Sequence, residues 1–244
     1  MTKLALMFAC VSMAAACADP AETPDVPTFT ARIRGPLAAP TVADAKTYHD
    51  GVAQGGEATA KEAGDVAHLV GLGITDLGTP LDEFLALDRW DDGDAALGFY
   101  ADPNFAAALR PLFSAAPDLQ LFERHPEWTS WGELGAARAS GQPYWYVVVE
   151  GRLKLASVDD NHAAHDAIAS AGEEMARAAG DIAHLPHLAA GDDRAFFNVD
   201  VWTSKEGMLA RFADPQFQAA IQSLFEARPD VRIYQSTAWY QWSE

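Results

Sequence analysis

Apolar and polar positions in the C-terminal half of this chain follow two periods. Residues 144–149 are an unbroken aromatic and β-branched run, which predicts a buried strand. Beyond Asp160, a candidate helix cap, Ala164, Ile168, Ala171, Met175 and Ala178 recur every four or three residues. That spacing predicts one apolar helix stripe, ended by Gly180. A short strand follows over 182–188. Residues 196–202 form another strand, with Phe197, Val199 and Val201 on one face and Phe196, Asn198, Asp200 and Trp202 on the other. A second helix begins near Lys205 and breaks at Asp214-Pro215, where Asp214 caps a new segment carrying Phe217, Ile221, Leu224 and Phe225. Residues 230–239 are the last strand. The order is βαββαβ.

The N-terminal half repeats this pattern. Ala63-Gly-Asp-Val-Ala-His68 returns as Ala179-Gly-Asp-Ile-Ala-His184, and Ala101-Asp-Pro-Asn-Phe105 as Ala213-Asp-Pro-Gln-Phe217. Early pairs such as His49 with His165 and Gly35 with Gly151 are 116 residues apart. Later pairs such as Asp88 with Asp200 and Trp90 with Trp202 are 112 apart. The first copy therefore carries a longer loop, read over 71–80, which is rich in turn residues. Each copy closes on Trp-x-x-Trp, as Trp128/Trp131 and Trp239/Trp242, read as barrel-closing core. The expected fold class is α+β: tandem ferredoxin-like βαββαβ repeats forming an intramolecular dimeric α/β barrel. A four-stranded sheet with helices on one face leaves the other bare, and the second copy covers it. The units are residues 27–131 and 143–242, joined by a linker over 132–142.

Composition narrows the partners. The chain has 244 residues and a formal net charge of −18, which disfavours nucleic acid and anionic lipid. Lys3, a short apolar run to Val11 and Ala14-Ala-Ala16 predict a signal peptide over residues 1–16. Cys17 is then the candidate for lipidation, with ordinary cleavage nearby as the alternative. Residues 17–26 read as an acidic, Pro-rich tether. Cys10 and Cys17 are the only cysteines, so the body has no internal disulfide or thiolate chemistry. The expectation is an exported bacterial protein, periplasmic or a lipoprotein of the outer membrane. It would touch the membrane only through Cys17 and would be a monomeric pseudo-dimer.

Asn198-Val-Asp-Val-Trp-Thr-Ser-Lys-Glu-Gly-Met208, followed by Ala213-Asp-Pro-Gln-Phe217 and a final strand, resembles the antibiotic biosynthesis monooxygenase family of dimeric α/β barrels. The first copy matches through Leu87-Asp-Arg-Trp90 and Ala101-Asp-Pro-Asn-Phe105. The resemblance implies sheet-to-sheet association, a ligand between sheet and helices, and in some members oxidation of aromatic compounds by oxygen without metal or flavin. A heme-degrading branch uses Asn, Trp and His at three positions. Here these are Gly151 (Gly35), Trp202 (Trp90) and Ile221 (Leu109), so the iron ligand is missing. Two further positions where family members carry His are Phe212 and Gln216.

Candidate chemistry lies at repeated polar positions. Asp200, His184, Asp88 and His68 are the candidate catalytic residues, as bases or proton carriers. Trp202, Asn198, Trp90, His165 and His49 are candidate substrate contacts. His49 and His165 fall at the edge of the apolar stripe, and the Asp beside each is read as solvated rather than as a dyad partner. His184 and His187 point to opposite strand faces, so no metal is expected. The first reading is a cofactor-independent monooxygenase acting on a small aromatic or quinol-like compound, with no cofactor. The alternative is a non-catalytic small-molecule-binding or stress-related protein. Arg89 against Val201 and the longer loop of the first copy point to at most one cavity as a site, and Asn198 against Ala86 favours the second copy.

Overall fold

The computed structural model describes residues 28–138 and 141–243; the expected leader, the tether, Cys10 and Cys17 lie outside them. The described residues form β1 (Phe29–Pro36), α1 (Val42–Glu62), β2 (Asp65–Gly73), β3 (Glu83–Trp90), α2 (Gly93–Ala101), α3 (Pro103–Leu109) and β4 (Asp118–Arg124). The second half gives β5 (Trp145–Arg152), α4 (Val158–Ala178), β6 (Asp181–Ala189), β7 (Asp192–Trp202), α5 (Lys205–Ala213), α6 (Pro215–Ser223), β8 (Asp230–Ser236) and β9 (Trp242–Ser243). No described helix is long and apolar enough to cross a membrane.

In each half the strands order as β2-β3-β1-β4 and β6-β7-β5-β8, all antiparallel. The two sheets join at both edges. β4 pairs with β6 from Phe122↔Ala189 to Arg124↔His187, and β8 pairs with β2 from Gly71↔Ser236 to Gly73↔Tyr234. Eight strands thus close into a barrel with helices outside, and β9 adds to the edge of β2. Closure removes the free edges that would otherwise pair with other chains.

The two-residue alternation of β7 explains the layering. Phe197, Val199 and Val201 enter the barrel interior with Leu69, Leu85, Leu87, Tyr146 and Tyr234. Phe196 and Trp202 face the helices with Met208, Phe212 and Phe225. Interior positions related between the halves exchange bulk. His187 bonds Thr30 Oγ1 at 3.0 Å. At the equivalent place Gly71 leaves room for Tyr146 and Tyr234, where an added Cβ would lie 2.8 Å from the Tyr234 Cβ. One end of the interior is charged: buried Arg32 lies 2.8 Å from both Asp118 and Glu150.

Several local expectations are corrected. Ser157, not Asp160, caps α4: its side chain accepts from the Asp160 N–H, as Thr41 accepts from that of Asp44 in α1. The buried face of α4 is Asn161, His165, Ala169, Gly172 and Ala176, while Met175 is exposed. The stripe shifts because polar Asn161 and His165 find bonding partners inside. Residues 71–73, read as loop, belong to β2, and the last long strand stops at Ser236. Gly180 does end α4, at φ 106°, a left-handed conformation that glycine adopts without strain. Asp214 caps α6 with Pro215 in its first turn, as the sequence predicts.

Candidate functional site

Between helices and sheet each half encloses a cavity, of about 70 Å³ in the second half and 50 Å³ in the first. The strand register builds the polar wall of each. His184 on β6 is paired directly with Asp200 on β7, and His68 on β2 with Asp88 on β3. Side chains at paired positions share a face, so His184 Nδ1 meets Asp200 Oδ1 at 2.6 Å and His68 Nδ1 meets Asp88 Oδ1 at 2.6 Å.

The long helix of each half supplies the next link. His165 Nε2 lies 3.1 Å from His184 Nε2, and His49 Nε2 lies 3.1 Å from His68 Nε2, with the rings stacked. Each helix histidine bonds its own neighbour: His165 Nδ1 to Asp166 Oδ1 at 3.0 Å, and His49 Nδ1 to Asp50 Oδ1 at 3.1 Å. These histidines are 3 % exposed, in the middle of the buried face. Both the edge position and the solvated-Asp reading are therefore corrected. The Asp side chain folds back along the helix because its histidine is turned inward.

The result is an Asp–His–His–Asp chain in each half. Its outer carboxylates are partly open, Asp166 at 30 % and Asp50 at 17 % side-chain exposure. Its inner ones are closed, Asp200 at 8 % and Asp88 at 7 %. Three hydrogen bonds in a row need one proton in each gap. Two carboxylates and two neutral imidazoles supply two, one short of the three gaps. Burial, then the neighbouring strand histidine, lowers His165 and His49 to about 4, so the helix rings are neutral at pH 7.

The Trp-x-x-Trp tails exchange between halves. After β4 the first tail crosses to the second half, where Trp131 bridges His184 through the backbone and stacks on its ring at 4.6 Å. Trp128 covers His165 at 5.1 Å, and the Thr129 N–H donates to Asp166 Oδ1 at 2.7 Å. Reciprocally, Trp242 packs on His68 at 4.6 Å, Trp239 on His49 at 5.1 Å, and the Tyr240 N–H donates to Asp50 Oδ1 at 2.7 Å. The reading as barrel-closing core is corrected: these tryptophans are buried, but Trp131 and Trp242 line the other half's cavity. Their repetition was visible in sequence; which half each tail covers was not.

A second carboxyl stands beside each inner Asp. Burial, reinforced by the charge of Asp200, raises Asp181 to about 9, and burial with the charge of Asp88 does the same to Asp65. The outer carboxyls move the other way. Partial burial raises Asp166, but bonds from His165 and the Thr129 N–H outweigh it and hold it below the usual range.

The halves differ where ligand chemistry would differ. Asn198 Nδ2 donates to Asp200 Oδ1 at 2.8 Å, and Ala86 stands in its place in the first half. Asn198 and Trp202 line the second cavity, as do Arg211 and Ile221. His187 faces the barrel interior, away from His184. The Gly151 position is held open by Phe225, whose ring would lie 2.6 Å from an added Cβ. Among the described residues no group of His, Cys, Asp and Glu has the arrangement of a metal site.

No family model matches this chain, and no curated protein matches it. Solved structures do. A candidate monooxygenase from Fusobacterium nucleatum aligns over 91 % of this chain and 100 % of its own, at TM-score 0.61 and 9 % identity. An anthrone oxidase-like protein aligns over 91 % and 95 %, at 0.59 and 18 %. A candidate monooxygenase from Lactobacillus acidophilus aligns over 90 % and 97 %, at 0.56 and 10 %. The chain has the fold of the dimeric α/β-barrel proteins. At these identities the likeness carries the fold and leaves the chemistry to the site.

Proposed function

We propose that the protein is a cofactor-independent oxygenase of small hydroxylated aromatic compounds, built from two antibiotic biosynthesis monooxygenase-like units and working at Asp200. The supporting observation is the hydrogen-bonded chain from a buried carboxylate at the cavity wall to a partly exposed one at the surface. A carboxylate in that position takes the ring hydroxyl's proton as the substrate becomes electron-rich. A proton of the chain then passes from His184 to His165 and leaves by Asp166, so Asp200 gains a proton without adding net charge to the buried cluster. Asp181, raised to about 9, limits the negative charge beside Asp200.

The substrate anion supplies the electrons. A phenol with an open ring position plus O2 gives a quinone plus water, which balances with no other reductant. The cavity is small, at about 70 Å³, which favours a single substituted ring over a fused three-ring system. Names of two barrel neighbours, monooxygenase and anthrone oxidase-like, agree with this reading. Export, lipidation at Cys17 and monomeric action of the paired halves belong to the same proposal.

Oxygen uptake with a panel of single-ring phenols and hydroquinones, in the presence of a metal chelator, tests it. The expected result is uptake by the unmodified chain and a loss of about 100-fold or more in kcat for Asp200→Asn. Binding of these compounds without uptake would establish the non-catalytic alternative, and an Asp200→Asn variant with full activity would remove Asp200 from the reaction.

A further inference from the structure

The two cavities are not equivalent, and besides Asn198 against Ala86 they differ by one hydroxyl. In the first half Tyr100 OH donates to Asp88 Oδ2 at 2.5 Å and accepts from Trp90 Nε1 at 3.2 Å. Burial, then the Asp88 charge, raises the Tyr100 pKa well above 10, so the phenol remains a neutral donor. It fills the corner beside Trp90, which is not among the residues lining that cavity, although Asp88 is. At the equivalent position the second half has Phe212, edge-on to Trp202 at 6.4 Å as Tyr100 is edge-on to Trp90 at 5.6 Å. The ring is kept and the hydroxyl is gone.

What the hydroxyl satisfied in the first half is left open in the second. Among the described residues Trp202, 1 % exposed, has a buried indole N–H with no hydrogen-bond partner, and Asn198, 3 % exposed, has a buried Oδ1 with none. Both residues line the cavity. Asp200 Oδ1 is occupied by His184 and Asn198, while Oδ2 has no donor among the described residues. Unpaired buried polar atoms cost free energy, and two of them on residues that line one cavity mark a place where a ligand supplies the missing group. The remaining wall is Phe196, Phe225, Ile168 and Leu224, which suits a ring. Arg211, stacked over Phe217 at 3.8 Å and in no ion pair among the described residues, favours a ring whose substituents draw electron density, as those of an acidic phenol do.

We propose that each chain has one ligand site, in the second half, which takes an acidic phenol through its hydroxyl, and that Tyr100 is the built-in occupant of the same corner in the first half. The ligand hydroxyl donates to Asp200 Oδ2 and accepts from Trp202 Nε1, repeating the two bonds that Tyr100 makes. This deepens the reading of the site given above but needs only binding, not turnover.

Calorimetric titration of the full chain with 4-nitrophenol tests it. One equivalent binds, and 4-nitroanisole, which lacks the donor, binds at least about tenfold more weakly. Phe212→Tyr, which fills the corner, lowers 4-nitrophenol affinity by about tenfold or more. Tyr100→Phe raises the stoichiometry to two, the new site being the weaker because Ala86 replaces Asn198. Two equivalents in the unmodified chain, an unchanged affinity in Phe212→Tyr, equal binding of the two probes, or no binding of 4-nitrophenol would each overturn the proposal. The probe comparison needs no variant to fold. One equivalent bound without oxygen uptake sinks only the oxygenase reading; oxygen uptake with two equivalents bound sinks only this one.

Discussion

Trp131→Ala isolates the exchange of tails. Trp131 belongs to the first half by sequence, is 8 % exposed, and lies flat on His184 of the second at 4.6 Å. The substitution leaves the backbone bridge to His184 intact and removes only the indole. Truncating a buried Trp costs about 3–5 kcal/mol, and the lower end applies where one face of the void meets an existing cavity. About 3 kcal/mol in a chain of this size lowers Tm by roughly 6–12 °C. Urea unfolding gives the energy, and side-chain NMR of the histidines gives its location. The His165 and His184 signals move while those of His49 and His68 stay. Trp242→Ala reverses the pattern, because Trp242 covers His68. A loss under about 1 kcal/mol, or movement of His49 and His68 in Trp131→Ala, would refute the exchanged packing.

Three further outcomes follow from charge burial. Burial lowers His49 and His165 to about 4 and His187 to about 3. A folded value below the unfolded one gives stability that is complete above pH about 6.5 and is lost as pH falls through 4 and 3; urea midpoints measured against pH should show that acid limb, and His187→Asn should flatten it. Asp181 goes the other way: raised to about 9, its contribution is full below pH about 4 and declines as pH rises through 9, at up to about 1.4 kcal/mol per unit. Asp181→Asn keeps an acceptor for the Ala183 N–H and should therefore be more stable than the unmodified chain at pH 8, a difference that vanishes at pH 4. Arg32→Met leaves Glu150 without one of its two guanidinium partners inside the barrel and should cost about 3 kcal/mol, part of which Arg32→Met/Glu150→Gln recovers in the same assay.

Periodicity made the architecture legible. The alternation in β7 separates barrel interior from helix side residue by residue, and the constant offsets between copies place both halves in one register. The polar side chains on a helix were not legible in the same way. Asn161 and His165 look like the wrong face of α4 until their partners are known. Asn161 bonds the Leu155 backbone, and His165 bonds a histidine 19 residues away on a different element. A stripe built from the Ala, Ile and Met positions alone therefore lands one position off. Asp200, Trp202 and Asn198 stood out because one face of β7 carried them, and His184 because its segment returns around His68. The completed chain through His165 and Asp166 depends on helix rotation, and the tryptophan cover depends on which half the tail reaches. Neither is encoded in local spacing. Tyr100 carried no signal until Phe212 was seen at the same place with Trp202 left unpaired.

Protonation of the four cavity histidines tests the central claim most directly. Nitrogen-15 NMR of the unmodified chain at pH 7, with the signals assigned, reports the proton on each ring nitrogen. The expected result is His165 and His49 neutral with the proton on Nδ1, and three protons shared over the four ring nitrogens of each histidine pair. Neutral rings throughout, or a positive charge on His165 or His49, would contradict a three-proton chain running from the cavity to the surface.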